Sequence, residues 1–192
     1  MKKTILLLVA AIALCASTAL GGMIIRGSGG ATPACIGYSN NSTNCEASLD
    51  GAYSYYLGGA DTTVCRYWSA STSGTITGIT YSLNEYTSST AVAVAWYKGT
   101  ARQGYKVDSS PGAGENFVDL TSGATGSFGF SSSDNVYYCI SVDNLTGRIE
   151  RDEGVSQPPA NYHYYTGYYL PDPISLSENT TRELCLRLHY EY

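Results

Sequence analysis

The chain has 192 residues and a formal net charge of −5, and only 14% of its residues are charged. This acidic balance does not suit a partner that is itself negatively charged, such as nucleic acid or an anionic membrane surface. Eighteen tyrosines beside three phenylalanines and two tryptophans indicate many half-buried positions, where a ring packs and its hydroxyl stays in water. This profile is typical of β-structure outside the cell and does not fit a helical cytosolic enzyme.

Residues 1–19 predict a secretory signal peptide. Two lysines form a positive start, residues 5–14 are an unbroken apolar run, and small residues follow. A membrane-spanning helix needs about 20 apolar residues, which is twice the length of this run. We expect cleavage after Ala19, or after Gly21 as the alternative, so that the mature chain is secreted and lies outside the cell or at its surface. Lipidation of Cys15 is the competing interpretation, but a large leucine precedes it where a small residue is normally required.

Residues 20–52 are predicted to be a flexible arm and a disulfide loop. The arm is rich in glycine and carries one apolar spot at residues 23–25. Cys35 and Cys45 then frame a short polar loop, which favours a disulfide between them. Exported domains occupy compartments in which disulfides persist. Because five cysteines follow the leader, at least one of them cannot belong to an intrachain pair.

A β-sandwich domain is expected over residues 53–192, where apolar and polar residues alternate between turn signals and no helical stripe is found. Strands are predicted, in chain order, at residues 64–69, 74–83, 91–98, 104–108, 116–121, 123–130, 135–142 and 183–192. About eight strands with regular turns indicate a β-sandwich or a jelly roll.

Three of these strands also predict which side chains face the core, because successive side chains of a strand point to opposite faces. The strand at 74–83 offers Ile76, Tyr81 and Leu83 as core contacts. The strand at 135–142 separates Val136, Tyr138, Ile140 and Val142 from Tyr137, Cys139 and Ser141. The last strand separates Leu184, Leu186, Leu188, Tyr190 and Tyr192 from Glu183, Cys185, Arg187, His189 and Glu191.

An acidic cluster in the polar stretch near residue 150 is the candidate metal site. Calcium takes about 6–8 oxygen ligands, and Asp143, Glu150, Asp152 and Glu153 could supply several of them. The competing interpretation is a solvated acidic turn, since two arginines interrupt the cluster. Apart from calcium, no cofactor is expected.

A block of tyrosines is the candidate ligand surface. Its members lie within eight residues and are Tyr162, Tyr164, Tyr165, Tyr168 and Tyr169. A flat ring can stack on the apolar face of a sugar while its hydroxyl bonds the sugar's edge, and exposed aromatic patches often mark interaction surfaces. The competing interpretation is that these rings cover the core. The doublets break strict alternation, so that both faces of the segment carry rings.

The order of these segments is itself informative: VCRYWSAS, SGTITGITYSL, AVAVAWYKG, VYYCISVDN, YYTGYYLPDP and ELCLRLHYEY. Over roughly residues 60–192 this order resembles the jelly-roll modules, similar to carbohydrate-binding modules, of secreted bacterial surface proteins. The resemblance implies an antiparallel β-sandwich of jelly-roll type. It further implies a Cys65–Cys185 disulfide, because the first and last strands of a jelly roll commonly lie side by side, with Cys139 as a buried thiol. A Cys65–Cys139 pair is the alternative.

These observations predict a secreted, non-catalytic module that adheres to polysaccharide or another extracellular surface ligand. No nucleic acid, and no membrane in the mature form, is expected as a partner. The alternative is a structural subunit of an extracellular filament or surface assembly, which would self-assemble through the apolar spot of its arm. A glycoside-acting enzyme is a minor alternative, since its paired carboxylates would be Glu150, Asp152 and Glu153, whose only support is that they lie close together in sequence.

Overall fold

The computed structural model describes residues 31–37, 45, 49, 53–56, 62–85, 91–142, 148–153, 162–163, 165–166, 170–175, 178–179 and 182–192. Within these ranges the regular structure is entirely β, in agreement with the predicted fold class. No helix long and apolar enough to cross a membrane occurs in this part of the chain.

The strands of the described residues are, in chain order, β1 (Pro33–Gly37), β2 (Tyr53–Tyr56), β3 (Thr62–Ser69), β4 (Gly74–Glu85), β5 (Val92–Lys98), β6 (Ala101–Asp108), β7 (Gly114–Asp119), β8 (Thr125–Gly126), β9 (Gly129–Phe130), β10 (Asn135–Val142), β11 (Arg148–Glu153), β12 (Tyr162–His163), β13 (Tyr165–Thr166), β14 (Glu178–Asn179), β15 (Arg182–Leu184) and β16 (Leu186–Glu191). The main strands fall where alternation predicted them, and β10 has the predicted bounds. The stretches predicted as single strands at 123–130 and 183–192 are each divided, into β8 and β9 and into β15 and β16. The strands absent from the predicted set are β1, β2, β11, β12, β13 and β14.

Two antiparallel sheets contain most of these strands. The larger sheet runs β1–β16–β4–β11–β15, with β7 and β9 also paired to β4 and β2 paired to β11. The smaller sheet runs β13–β3–β10–β5–β6–β8. A two-stranded ribbon of β12 and β14 is separate from both. We refer to the two sheets as the eight-stranded sheet and the six-stranded sheet.

Two segments differ from the sequence-based expectation. The range 20–52, expected to hold only an arm and a loop, contains β1, which pairs with β16 from Pro33 to Gly37. The β-structure therefore begins before residue 53. The acidic stretch near residue 150, where no strand was predicted, forms β11, which lies between β4 and β15. Neither strand has the apolar alternation by which strands are identified in a sequence.

The inner faces of the two sheets enclose one apolar core. The predicted contacts Ile76, Tyr81 and Leu83 are each fully buried. The remaining strands contribute Val64, Val92, Val94, Trp96, Val136, Tyr138, Ile140, Val142, Leu184, Leu186, Leu188 and Tyr190, among others. Each fully buried aliphatic side chain contributes about 1.5–3 kcal/mol. The predicted faces of β10 and β16 are thereby confirmed, except that Tyr192 at the chain end is 54% exposed.

Side-chain hydrogen bonds connect the two sheets. The Tyr81 hydroxyl of β4 donates to Asp108 Oδ2 of β6 at 2.8 Å, and Arg66 Nη1 of β3 donates to the Leu184 carbonyl of β15 at 3.0 Å. Burial, followed by the bond to Asp108, raises the pKa of Tyr81 far above its ordinary value. The hydroxyl therefore stays protonated and remains a donor.

Candidate functional site

Three tyrosines lie side by side on the outer face of the six-stranded sheet. In the register of the sheet, Tyr67 of β3 is opposite Tyr137 of β10, and Tyr137 is opposite Tyr97 of β5. Tyr97 is fully buried, whereas Tyr67 and Tyr137 are half-buried with their ring centroids 5.1 Å apart. We call these two residues the tyrosine pair. Rings at this separation stabilise each other, so the tyrosine pair is a fixed aromatic surface that water and ligands can reach.

A disulfide lies next to the tyrosine pair in the same two strands. Cys65 and Cys139 are direct cross-strand partners, and they are bonded to each other with a Cα–Cα distance of 4.0 Å. This corrects the expected Cys65–Cys185 pairing and the expectation that Cys139 is a thiol. Cys185 is buried between β15 and β16 in the eight-stranded sheet, whereas Cys65 packs on the outer side of the opposite sheet. The bond fixes the register of the strands that carry the tyrosine pair.

A segment of chain, residues 170–175, crosses the outer face beside the tyrosine pair, and we call it the strap. Leu170 and Ile174 are buried against Tyr97 and two alanines of β5, Ala93 and Ala95. The small alanine side chains allow the strap backbone to approach the sheet closely. The covered part of this face is therefore a second, smaller apolar cluster, separate from the core between the sheets.

Polar contacts to β5 and β6 hold the strap in place. The Tyr97 hydroxyl donates to the Pro171 carbonyl at 2.9 Å, and burial raises the pKa of Tyr97 above its ordinary value, so this donor is retained. Arg102 donates from Nη1 to the Leu170 carbonyl at 2.6 Å and from its backbone N–H to Asp172 Oδ1 at 3.0 Å. The strap forms a fixed wall along one side of the tyrosine pair.

Polar groups lie beside Tyr67 at one end of the tyrosine pair. The Tyr67 hydroxyl donates to Asn135 Oδ1 at 2.6 Å, and Asn135 is exposed beside the exposed Ser69, its register partner. Lys98 and Asp134 form an ion pair of 2.9 Å nearby in the chain. The hydrogen bond from Lys98 lowers the pKa of Asp134. An aromatic surface with a polar end can contact both the apolar face and the hydroxyl edge of a sugar.

The outer face of the eight-stranded sheet has a different character. Thr80 and His189 share a hydrogen bond of 2.7 Å between Oγ1 and Nε2, and Phe117 packs edge-on against His189 with centroids 5.1 Å apart. Burial, reinforced by the nearby positive charge of Arg187, lowers the pKa of His189 to about 4. At neutral pH this histidine is uncharged and contributes to packing.

The same outer face bonds backbone groups at Cys45 of the first disulfide and at Leu49. Cys35 and Cys45 are bonded, as predicted, with a Cα–Cα distance of 5.6 Å. Arg187, which is only 3% exposed, donates from Nη1 to the Cys45 carbonyl at 2.8 Å. Glu115 accepts a hydrogen bond from the backbone N–H of Leu49. These two charged side chains are thus bonded to the protein's own backbone.

The predicted tyrosine block is described only at two positions, which lie on different strands. Tyr162 is in β12, opposite Asn179 of β14. Tyr165 is in β13, opposite Thr63 of β3. The other three members, Tyr164, Tyr168 and Tyr169, lie outside the described residues. The backbone at Tyr165 therefore extends the six-stranded sheet beside the strand that carries Tyr67.

Three of the four predicted calcium ligands lie along β11. Glu150 is opposite Ser54 of β2, while Asp152 and Glu153 are opposite Glu183 and Arg182 of β15. The fourth candidate, Asp143, lies outside the described residues. Calcium binding here stays a prediction. It is tested by measuring the melting temperature with and without excess chelator. If a structural ion is bound, the chelator should lower the melting temperature.

The tyrosine pair was missed in the sequence because its members are 70 residues apart, and the dense block near residue 165 dominates the aromatic pattern. A signal was nevertheless present. Tyr67 follows Cys65 by two residues, and Tyr137 precedes Cys139 by two residues. When two antiparallel strands are joined by a disulfide, such mirror-image spacing places the two tyrosines directly opposite each other.

No protein-family model matches the sequence, and no curated protein matches it. The chemistry of the tyrosine pair and its surroundings is therefore the basis for a functional assignment.

Proposed function

We propose that the chain is a secreted, non-catalytic β-sandwich module of jelly-roll type that binds carbohydrate or a similar extracellular surface ligand. The observation that carries the proposal is the tyrosine pair, a partly exposed aromatic surface with a polar end, on the outer face of the six-stranded sheet. Two disulfides indicate an oxidising environment outside the cytoplasm. The signal peptide predicted over residues 1–19 agrees with that environment.

The physical argument for a sugar ligand is the match of surfaces. A pyranose ring presents flat patches of C–H groups and a rim of hydroxyls, and aromatic side chains with polar tips suit both. Pre-organisation favours binding, because a surface that is already ordered loses little conformational entropy on association. The disulfide beside the tyrosine pair and the strap along its side supply that order.

We further propose that the predicted tyrosine block belongs to the same surface. Tyr165 is opposite Thr63, four residues along β3 from Tyr67. The chain then continues into the strap, which begins at Leu170 on the face that carries the tyrosine pair. The ligand surface would accordingly extend along the six-stranded sheet from the tyrosine pair towards β13.

The test is retention of the full chain, exported so that both disulfides form, on insoluble cellulose, chitin, xylan and peptidoglycan. Replacement of both members of the tyrosine pair by alanine should weaken binding at least tenfold, or about 1.4 kcal/mol. Tyr192→Ala is the matched control, since this tyrosine is 54% exposed but follows directly after β16 of the other sheet. Retention by the double variant equal to that of the control, with folding verified by circular dichroism, would refute the assignment.

The alternative, a subunit of an extracellular assembly, gives a different result in the same samples. A sugar-binding module should elute from a size-exclusion column as a monomer and be retained on a polysaccharide. A subunit of an extracellular assembly should elute as a concentration-dependent oligomer and be retained on none of the four polymers.

A further inference from the structure

The hydrogen bond at the polar end of the tyrosine pair leaves a defined set of donors and acceptors. The bond uses the Tyr67 hydroxyl hydrogen and one lone pair of Asn135 Oδ1. The amide group of Asn135 keeps its two hydrogens, and the Tyr67 oxygen keeps lone pairs as an acceptor. If the amide is turned over, Asn135 donates to Tyr67 instead, and the hydroxyl hydrogen and the amide oxygen become available. In both arrangements the two side chains present at least one donor and at least one acceptor next to each other.

These groups are held in position and accessible. Asn135 is exposed, and Tyr67 is fixed by its ring contact with Tyr137. The Asn135 backbone is also fixed, because its carbonyl accepts a bond of 2.7 Å from the Gly99 N–H. The exposed hydroxyl of Ser69, its cross-strand partner, adds a group that can donate or accept.

A donor and an acceptor side by side complement two neighbouring hydroxyl groups on one sugar ring. Each hydroxyl can donate and accept, so one can donate to the acceptor of the protein while the other accepts from its donor. A ring stacked on Tyr137 would direct its edge towards Asn135, which is two residues earlier on the same face of β10.

We infer that Tyr67 and Asn135 select sugars with two adjacent free hydroxyls on the edge of the stacked ring. This inference rests on the proposed function and specifies its ligand class. Polymers in which one of the two hydroxyls is replaced by a larger substituent should bind less well, because the substituent keeps the ring edge away from Asn135 and leaves a polar group of the protein without its bond.

Cellulose and chitin provide a matched pair of probes. They share the same backbone linkage, and chitin carries an acetamido group in place of one of the two adjacent ring hydroxyls of cellulose. The wild-type chain should be retained on cellulose about tenfold more strongly than on chitin. Asn135→Ala and Tyr67→Phe should both reduce this ratio towards one, and Tyr67→Phe should keep part of the overall retention because it preserves the ring.

The control is Ser133→Ala, in the loop before β10, which should leave the ratio unchanged. Equal or stronger wild-type retention on chitin, or a ratio unaffected by both variants, would overturn the inference while leaving carbohydrate binding intact. Retention on neither of these polymers nor on xylan or peptidoglycan would overturn both the inference and the proposed function.

Discussion

The two outer faces of the sandwich are built alike but differ in what they leave accessible. Each bonds backbone groups that lie outside its strands, and each has a disulfide on it or at its edge. On the eight-stranded sheet, Arg187 and Glu115 bond the backbone at Cys45 and Leu49. On the six-stranded sheet, Arg102 and Tyr97 do the same for the strap, but both rings of the tyrosine pair stay partly exposed.

The two faces differ in which polar groups are accessible to a partner. The hydrogen bond between Thr80 and His189 is covered by packing, whereas the bond between Tyr67 and Asn135 is exposed. Buried polar groups stabilise a fold by bonding internally, and exposed ones can exchange water for a ligand. We therefore propose a stabilising role for the eight-stranded face and a binding role for the six-stranded face.

The largest expected effect comes from removing each disulfide in turn by double alanine substitution. Cys65 and Cys139 are 74 residues apart in sequence, and Cys35 and Cys45 are 10 apart. In the loop-entropy model their removal lowers the free energy of unfolding by about 4 and about 3 kcal/mol respectively. Urea unfolding without reductant measures both. Only the Cys65→Ala/Cys139→Ala variant should also lose polysaccharide retention. Equal retention by the two variants would contradict the idea that this bond orders the tyrosine pair.

The second-largest effect is a pH dependence of the free energy of unfolding, which arises on the eight-stranded face. His189 has a folded-state pKa of about 4, below its ordinary value, so between about pH 6.5 and pH 4 the unfolded chain binds a proton that the folded chain does not. The contribution to stability is complete above pH 6.5 and is lost as the pH falls towards 4. We expect a loss of about 2 kcal/mol, after allowing for the partial exposure of the ring. His189→Gln should flatten this dependence in urea titrations, and an unchanged slope would exclude His189 as its source.

The sequence predicted the β-sandwich and the two faces of β10 and β16 because their alternation is regular. It could not predict which strands lie side by side, and for that reason the Cys65 pairing was wrong. The same limit hid the tyrosine pair, since Tyr67 and Tyr137 meet only through the pairing of β3 with β10. The strand β11 was missed because its six residues, RIERDE, contain one apolar side chain. Local periodicity does not encode which distant strands pair. The features that depend on such pairing, the Cys65 disulfide and the tyrosine pair, were therefore not predicted.

The third effect compares two buried tyrosine hydroxyls. Tyr81→Phe removes a bond to a carboxylate between the sheets and should cost about 2 kcal/mol, whereas Tyr97→Phe removes a bond to a strap carbonyl and should cost about 1 kcal/mol. The second variant should also speed hydrogen exchange at the Ile174 amide, which bonds the Thr100 carbonyl. Protection of that amide at the wild-type level in Tyr97→Phe would mean that the strap does not depend on this anchor.

The smallest effect is expected for Phe117, which is the strictest test of the division between the faces. Phe117 is 57% exposed, lies against Gly78 so closely that a side chain there would meet its ring, and packs on His189. Because most of the ring is already in water, Phe117→Ala should cost less than about 1 kcal/mol. The substitution should also raise the pKa of His189 towards its ordinary value, because burial is the main cause of the depression. NMR titration of that ring measures the change.

Exposed aromatic character alone does not make a binding site under our proposal, so polysaccharide retention by Phe117→Ala should equal that of the wild type. A loss comparable to that of the tyrosine-pair variant would mean that both faces bind ligand, and the division between a stabilising and a binding face would be wrong.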